Sequence, residues 1–236
     1  MDKIIFIPQK RTQRQLVGFL YPEEIHQVLN TVNIDTAVGF RDYTILHLLF
    51  ESGARASEIA RLNLDYFNPE QGSLAILGKG NRFRQVDLSL TTVKMIKAYT
   101  INHRRRPRPA DAKRLFISQH GKALTRHGIY RLCRKYLRMA LSEKRLEVLN
   151  PVHSFRHSCA INLLAAGCSV TDIKNHLGHE DVQSSMVYLQ MDLPRRRKIQ
   201  QRFTKYTQAV LTRNAEIVAL IDKEEEDDIM TWLDNL

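Results

Sequence analysis

Apolar positions recur at helical spacing along most of this chain, and in one stretch they switch to strand-like alternation. The first periodic segment is "YPEEIHQVLN" from Tyr21. Pro22 suits the first helical position, and Glu23 and Glu24 suit the positive end of the helix. "TAVGFRDYTILHLLFESGA" predicts a longer, mostly buried helix stopping near Gly53, and "ASEIARLNL" a short one after Arg55. "SLAIL", "GKGN" and "RFRQVDLSL" read as apolar strand, glycine-rich turn and alternating strand, which together predict a β-hairpin. Helix resumes in "TTVKMIKAYTI", gives way to an Arg- and Pro-rich loop at 104–110, and is followed by a short candidate strand, "LFIS". From Thr125, one helical face carries Ile129, Leu132, Cys133, Tyr136, Leu137 and Ala140. Pro151 precedes a helix from His153 to about Ala166, closed by Gly167, and further helices are expected at 170–177, 181–190 and 195–222. No repeat, heptad run or low-complexity linker interrupts the pattern. The expected fold is mainly α with a small antiparallel β-sheet, an α+β arrangement.

Composition adds limits. A chain of 236 residues, 43% apolar, can bury a sizeable core. No apolar run approaches the ~18 residues needed to cross a bilayer, and "IIFIP" is too short for a signal peptide. Cys133, Cys159 and Cys168 lie in apolar helical patterns and read as buried thiols of a reducing compartment. The expectation is a soluble protein of a prokaryotic cytoplasm or nucleoid.

Charge changes the picture more. Residues 104–138 hold twelve Arg or Lys against Asp111 alone, a local excess of eleven that equals the net charge of the whole chain. Residues 222–236 run the other way, with seven acids and only Lys223. A polyanion-binding face and a separate acidic tail are implied. On the helix from Thr125 the polar side carries Arg131, Arg134, Lys135 and Arg138, with Arg126 at its start, as expected of side chains that meet phosphates.

The candidate chemistry gathers near the end of this pattern. "HSFRH" places His153, Arg156 and His157 within one helical turn, and "NHLGHEDVQSSMVYLQM" adds His176, His179 and Tyr188. Zinc could use such spacings with Cys159 and Cys168 nearby. However, no CxxC or HExxH accompanies them, and Arg156 would repel a cation from that face. Read one at a time, these histidines are ordinary caps or surface residues. Four segments together say more: "SGARASEIARL", "LGKGNRFRQVDL", "HSFRHSCAINLLAAG" and "LGHEDVQSSMVY".

In order and spacing these segments resemble the catalytic domain of the tyrosine recombinase (phage integrase) family. That pattern has a G-x-R-x-S-E turn, a hairpin lysine, H-x-x-R-H, L-G-H and a tyrosine nine residues on, and Tyr188 is nine after His179. The resemblance runs from Tyr21 to Met191. It implies that Tyr188 attacks a DNA phosphodiester and forms a 3′-phosphotyrosyl link, with no metal, ATP or other cofactor. Arg55 and Arg156 would neutralise the nonbridging oxygens as fixed, planar cations. His153, one turn from Arg156, and His179 would face the same phosphate, while Lys79 would protonate the leaving 5′-oxygen. Arg82 and Arg84 share that hairpin and compete with Lys79 for the role. Glu58 and His157 read as supports for Arg55 and the helix, and Tyr130 and Tyr136 as core or DNA-contact residues.

The family commonly carries a further helical DNA-binding domain ahead of this one. Here residues 1–20 form only a short basic arm before a catalytic domain at 21–193, which reads as a naturally short form rather than a fragment. Residues 194–236 read as a tail whose apolar end, Ile229, Met230, Trp232, Leu233 and Leu236, docks on a neighbouring protomer. The implied partners are double-stranded DNA, further copies of the chain in a tetramer on that DNA, and accessory DNA-bending or directionality proteins. The alternatives are a type IB topoisomerase-like DNA-relaxing enzyme and a DNA-binding regulator that kept the fold without the chemistry.

Overall fold

Thr36 starts the longest helix among the described residues by accepting a hydrogen bond from Gly39 N at 3.0 Å. The structure is a computed structural model, and it describes residues 18–178. The arm before Gly18, the Lys79 side chain and everything from His179 on lie outside the described residues, and with them the helices expected at 181–190 and 195–222.

Helix α1 (Pro22–Asn30) leads into α2 (Ala37–Ser52), the central rod. Phe40, Tyr43, Ile45, Leu46, Leu48 and Leu49 of α2 are buried, which is the pattern of a helix enclosed on all sides. Burial stabilises by roughly 1.5–3 kcal/mol per large apolar side chain. Gly53 closes α2 in the left-handed conformation (φ 57°), and a Cβ there would lie 2.3 Å from Leu177 Cδ2. Any larger residue would push the end of α2 away from its neighbour. The chain reverses at Gly53 and begins α3 (Ala56–Arg61) three residues later.

The sheet is small and antiparallel, in the order β1 (Phe67–Asn68), β2 (Ser73–Leu77), β3 (Phe83–Asp87). Leu74 pairs with Val86 and Ile76 with Arg84, so Arg84 shares the inner face of β3 with Val86, while Phe83 is 54% exposed. Helix α4 (Leu90–Ala98) ends in a π turn (Tyr99–His103). Then come α5 (Arg126–Ala140), capped by Thr125, α6 (Glu143–Leu146), α7 (His153–Ala165) and α8 (Val170–Leu177). Among the described residues, a mainly helical protein with a small antiparallel sheet is what the periodicity predicts, but the third strand, β1, is an addition to the expected hairpin.

A buried polar cluster fastens α5 to α2. Arg41 Nε and Nη2 donate to Asp42 Oδ1, Arg41 Nη1 donates to Ile117 O at 3.0 Å, and Tyr136 OH donates to Asp42 Oδ2 at 3.0 Å. Burial and the adjacent carboxylate push the Tyr136 phenol's pKa up, so Tyr136 is a core residue and a poor nucleophile.

Several expectations need correcting. "LFIS" makes single bridges rather than a strand: Leu115 N donates to Leu62 O, and Ile117 pairs with Ala123 across a turn. Cys168 lies between α7 and α8 and is partly exposed, unlike buried Cys133 and Cys159. Phe19 and Leu20, read as part of the arm, are 7% and 0% exposed and pack in the body. Two half-buried cations of the basic stretch are tied to the chain itself. Arg104 donates to the carbonyls of Ala112, Arg114 and Leu115, and Arg114 to Arg61 O and Asn63 Oδ1. Among the described residues no helix is long and apolar enough to cross a membrane.

Candidate active site

The turn after α2 determines how Arg55 is presented. Arg55 occupies the cap position of α3, where its own N–H donates to Glu58 Oε2 at 2.9 Å. Its guanidinium donates from Nη1 to Glu58 Oε1 at 2.7 Å, yet the side chain keeps 36% of its surface exposed. Glu58 is 4% exposed and receives a third donor, Arg84 Nη2, at 2.8 Å. Burial alone would raise the Glu58 pKa, but the hydrogen bonds and charge of Arg84 and Arg55 outweigh it and hold the carboxyl below its ordinary value. Glu58 is therefore an ionised anchor for two arginines.

Helix α7 supplies the second half. Ser158 Oγ bonds both the N–H and the carbonyl of Leu20, which stitches one face of α7 into the body. His153, at the first position of α7, is exposed as a residue, but its ring is partly desolvated. That burial, then the charges of Arg156 and Arg55, lower its pKa and keep the imidazole neutral near pH 7. Both arginines therefore stand close enough to act on the same ring. Arg156 is 4% exposed and donates from Nη1 to Gly53 O and from Nη2 to Leu177 O, each at 2.6 Å. It clamps the end of α2 to the end of α8. His157 is half-buried, and burial, His153 and Arg156 push its pKa down to about 4.

Of the expected site residues, the structure brings Arg55, Glu58, His153, Arg156 and His157 together. Lys79 lies in the 3₁₀ turn Lys79–Asn81 between β2 and β3, on the hairpin that Arg84 ties to Glu58. Gly178 ends α8 and His179 follows it, so the described chain stops one residue short of the next candidate. His179 and Tyr188 lie outside the described residues. Arg126, Arg131, Arg134, Lys135 and Arg138 are all exposed on α5, apart from this cluster. Among the described residues no group of three or more His, Cys, Asp or Glu could hold a metal ion. The sequence alone offers Arg84 only as a rival to Lys79. The register of β3, which puts residue 84 in phase with Val86, was the available signal for its inward role.

The phage integrase family matches residues 18–193. The chain belongs to that family. It is 31% identical over 203 residues to the tyrosine recombinase XerD of Staphylococcus haemolyticus, covering 86% of this chain and 68% of the relative. It is also similar, at 26% identity and a TM-score of 0.66, to the crystal structure of the XerH site-specific recombinase bound to palindromic difH substrate in a post-cleavage complex. That likeness covers 78% of this chain and 53% of XerH. The XerA recombinase, at 22% identity and a TM-score of 0.65, shares the fold over 78% of this chain and 64% of its own. Tyrosine recombinase is thus the family, and the α2–α3 turn and α7, held together by Arg156 on Gly53 O, carry its G-x-R-x-S-E and H-x-x-R-H motifs.

Proposed function

We propose that this chain cleaves and rejoins DNA at a specific site through a 3′-phosphotyrosyl intermediate, with Tyr188 as nucleophile. The observation that carries this reading is that Arg156 of α7 bonds Gly53 O, two residues before Arg55, so the α2–α3 turn that presents Arg55 is held to the helix that carries His153 and Arg156. Tyr188 Oη attacks the scissile phosphorus, and its proton passes to His153, which partial burial and two neighbouring cations keep neutral. The P–O5′ bond breaks, and the departing oxygen takes a proton from Lys79. Arg55 and Arg156 offset the charge on the nonbridging oxygens, and His179 adds a hydrogen bond. In the reverse step a 5′-hydroxyl attacks the phosphotyrosine and the phenol leaves. The ester keeps the bond energy, so rejoining consumes no ATP.

In this reading double-stranded DNA lies along the exposed outer side of α5, where Arg126, Arg131, Arg134, Lys135 and Arg138 meet its phosphates. Residues 18–193 form the catalytic domain, residues 1–17 an arm, and residues 194–236 a tail that reaches a neighbouring protomer in a tetramer on the DNA. Accessory DNA-bending or directionality proteins set the outcome. The test is a nicked suicide duplex, on which the wild-type chain is expected to form an SDS-resistant adduct. Tyr188→Phe should bind the duplex but form none. An adduct with Tyr188→Phe moves the nucleophile elsewhere, and wild-type binding without an adduct makes the chain a regulator. DNA relaxation without strand exchange between two labelled duplexes makes it a topoisomerase.

A further inference from the structure

Arg84 occupies an unusual position for a charged residue. It pairs with Ile76 across the sheet, in phase with Val86, on the inward face of β3, and only 10% of its side chain is exposed. An arginine there needs acceptors, and it has them on two separate elements. Nη2 donates to Glu58 Oε2 of α3 at 2.8 Å, and Nε donates to His176 O near the end of α8 at 2.9 Å. Glu58 in turn holds Arg55 through its other oxygen. The side chain also lies against Gly178, where an added Cβ would stand 3.0 Å from Arg84 Cδ and 3.1 Å from Nη1. Gly178 is in the left-handed conformation (φ 64°), so it is doubly suited to let the guanidinium pass under the turn that leads to His179.

The last carbonyls of α8 are therefore held by two guanidiniums from different directions, His176 O by Arg84 and Leu177 O by Arg156. Carbonyls at a helix C-terminus lack intrahelical donors and attract cations, so both bonds are favourable ones. Arg156 ties that end to α2, whereas Arg84 ties it to the hairpin and to Glu58. Without Arg84, neither of those connections from the hairpin remains.

We propose that Arg84 is a positioning residue that locks the β2–β3 hairpin, the Arg55–Glu58 pair and the end of α8 into one unit, and so sets where Lys79 and His179 meet the scissile phosphate. It touches no reacting atom. The proposal rests on the strand-cleavage reading above, which the wild-type adduct tests on its own. Displacement of catalytic groups by a fraction of their reach costs on the order of 100-fold in rate. Duplex affinity should change little, because Arg84 is turned away from solvent.

The experiment measures single-turnover adduct formation at saturating suicide duplex, with Kd and Tm alongside, for Arg84→Ala and Arg84→Lys. Adduct formation is expected to slow by on the order of 100-fold with Kd nearly unchanged. Lysine should restore little, since one ammonium cannot reproduce a planar fork spanning two acceptors. A duplex whose 5′-bridging oxygen is sulfur needs no leaving-group proton. It should recover part of the Arg84→Ala rate, because the Lys79 hairpin has come loose, and none of the Arg55→Ala rate. If Arg84→Ala does not fold, Arg84→Lys decides, because it keeps the charge and most of the volume. Arg84→Lys folded and slow supports the proposal, and Arg84→Lys at the wild-type rate overturns it. A loss in Arg84→Ala that appears wholly in Kd, or that sulfur does not relieve, also overturns it. A wild-type chain that forms no adduct defeats the strand-cleavage reading instead.

Discussion

The floor of the candidate site and the outer side of α5 are both cationic, and they use their cations in opposite ways. Beneath His153, Arg156 is 4% exposed and bonded to two carbonyls, and Arg84 joins Glu58 to His176 O. On α5, Arg126, Arg131, Arg134 and Arg138 stand in solvent, while Lys135, also exposed as a residue, rests its ammonium over the Tyr136 ring. A fixed guanidinium keeps its direction as charge develops, so it can favour a transition state without reorganising. A solvated one contributes mainly a field that salt screens. Partners, more than the number of positive charges, decide which kind of work an arginine does. Arg104 and Arg114 make the same point within the basic stretch, since their donors are committed to backbone carbonyls.

The largest expected effects fall on the floor, and they should divide. Arg55→Ala and Arg156→Ala are each expected to slow adduct formation by at least ~100-fold, the scale of losing one preorganised donor. Their stabilities should differ. Removing Arg156 strands Gly53 O and Leu177 O, at roughly 1–3 kcal/mol for each buried acceptor left without a partner. Removing the Arg55 side chain takes one of three donors from Glu58, which Arg84 and the backbone N–H of residue 55 still hold, and the lost side chain is itself 36% exposed, so the cost should be smaller. Thermal melts beside single-turnover rates check this, with a clear drop in Tm for Arg156→Ala alone. Equal Tm losses, or an Arg156→Lys variant as fast as wild type, would break the comparison.

A smaller effect is expected on α5, and of another kind. Neutralising Arg131 and Arg134 together should weaken binding to every duplex alike and reduce the slope of log K against log salt by ~2. The adduct rate at saturating DNA should hold. Arg104→Ala is the control from the same basic stretch: it should lower Tm and leave the salt slope where it was, because its N–H groups serve Ala112 O, Arg114 O and Leu115 O. An unchanged slope for the α5 pair moves the DNA face to another surface.

How much of this contrast the sequence carried depends on the kind of partner involved. The period of α5 is strong enough to separate Ile129, Leu132, Cys133, Tyr136 and Leu137 inside from the arginines outside. The motif spacing brings Arg55, Glu58, His153 and Arg156 together because each sits at a helix start or one turn into it. The committed arginines were not legible, since Arg104 bonds only backbone carbonyls, and Arg84 and Arg114 bond His176 O and Arg61 O beside their side-chain partners Glu58 and Asn63. Every residue offers a carbonyl, so such an acceptor leaves no trace in side-chain pattern. β3 shows the cost: hydrophobicity favours Phe83 inside, but Glu58 claims the inner position for Arg84, and Phe83 lies outside against Tyr66. Such local rule-breaking is common where a functional site is built.

Acid should separate the two regions last and least. Of the two regions, the floor contains histidines that burial holds neutral. His157 is pushed down to about 4 by burial, then by His153 and Arg156, and burial is also the largest cause of the lowered pKa values of His47, His153 and His176. A group whose folded pKa lies below its unfolded value, ~6.5 for histidine, takes up a proton on unfolding. Its contribution to stability is complete above ~6.5 and is lost as pH falls toward 4. Glu58 acts in the same direction, because its lowered folded pKa supports the fold above the ordinary carboxyl range and loses that support on protonation. Tm is therefore expected to fall between pH 7 and pH 5, by ~2–4 °C for each kcal/mol lost. Adduct formation should decline with it while duplex binding persists. His157→Asn, which cannot take up the proton, should flatten part of that fall without changing the salt slope. A Tm that stays level or rises across this range would mean that the histidines of the floor are not held neutral. The contrast between a partnered interior and a solvated face would then rest on the arginines alone.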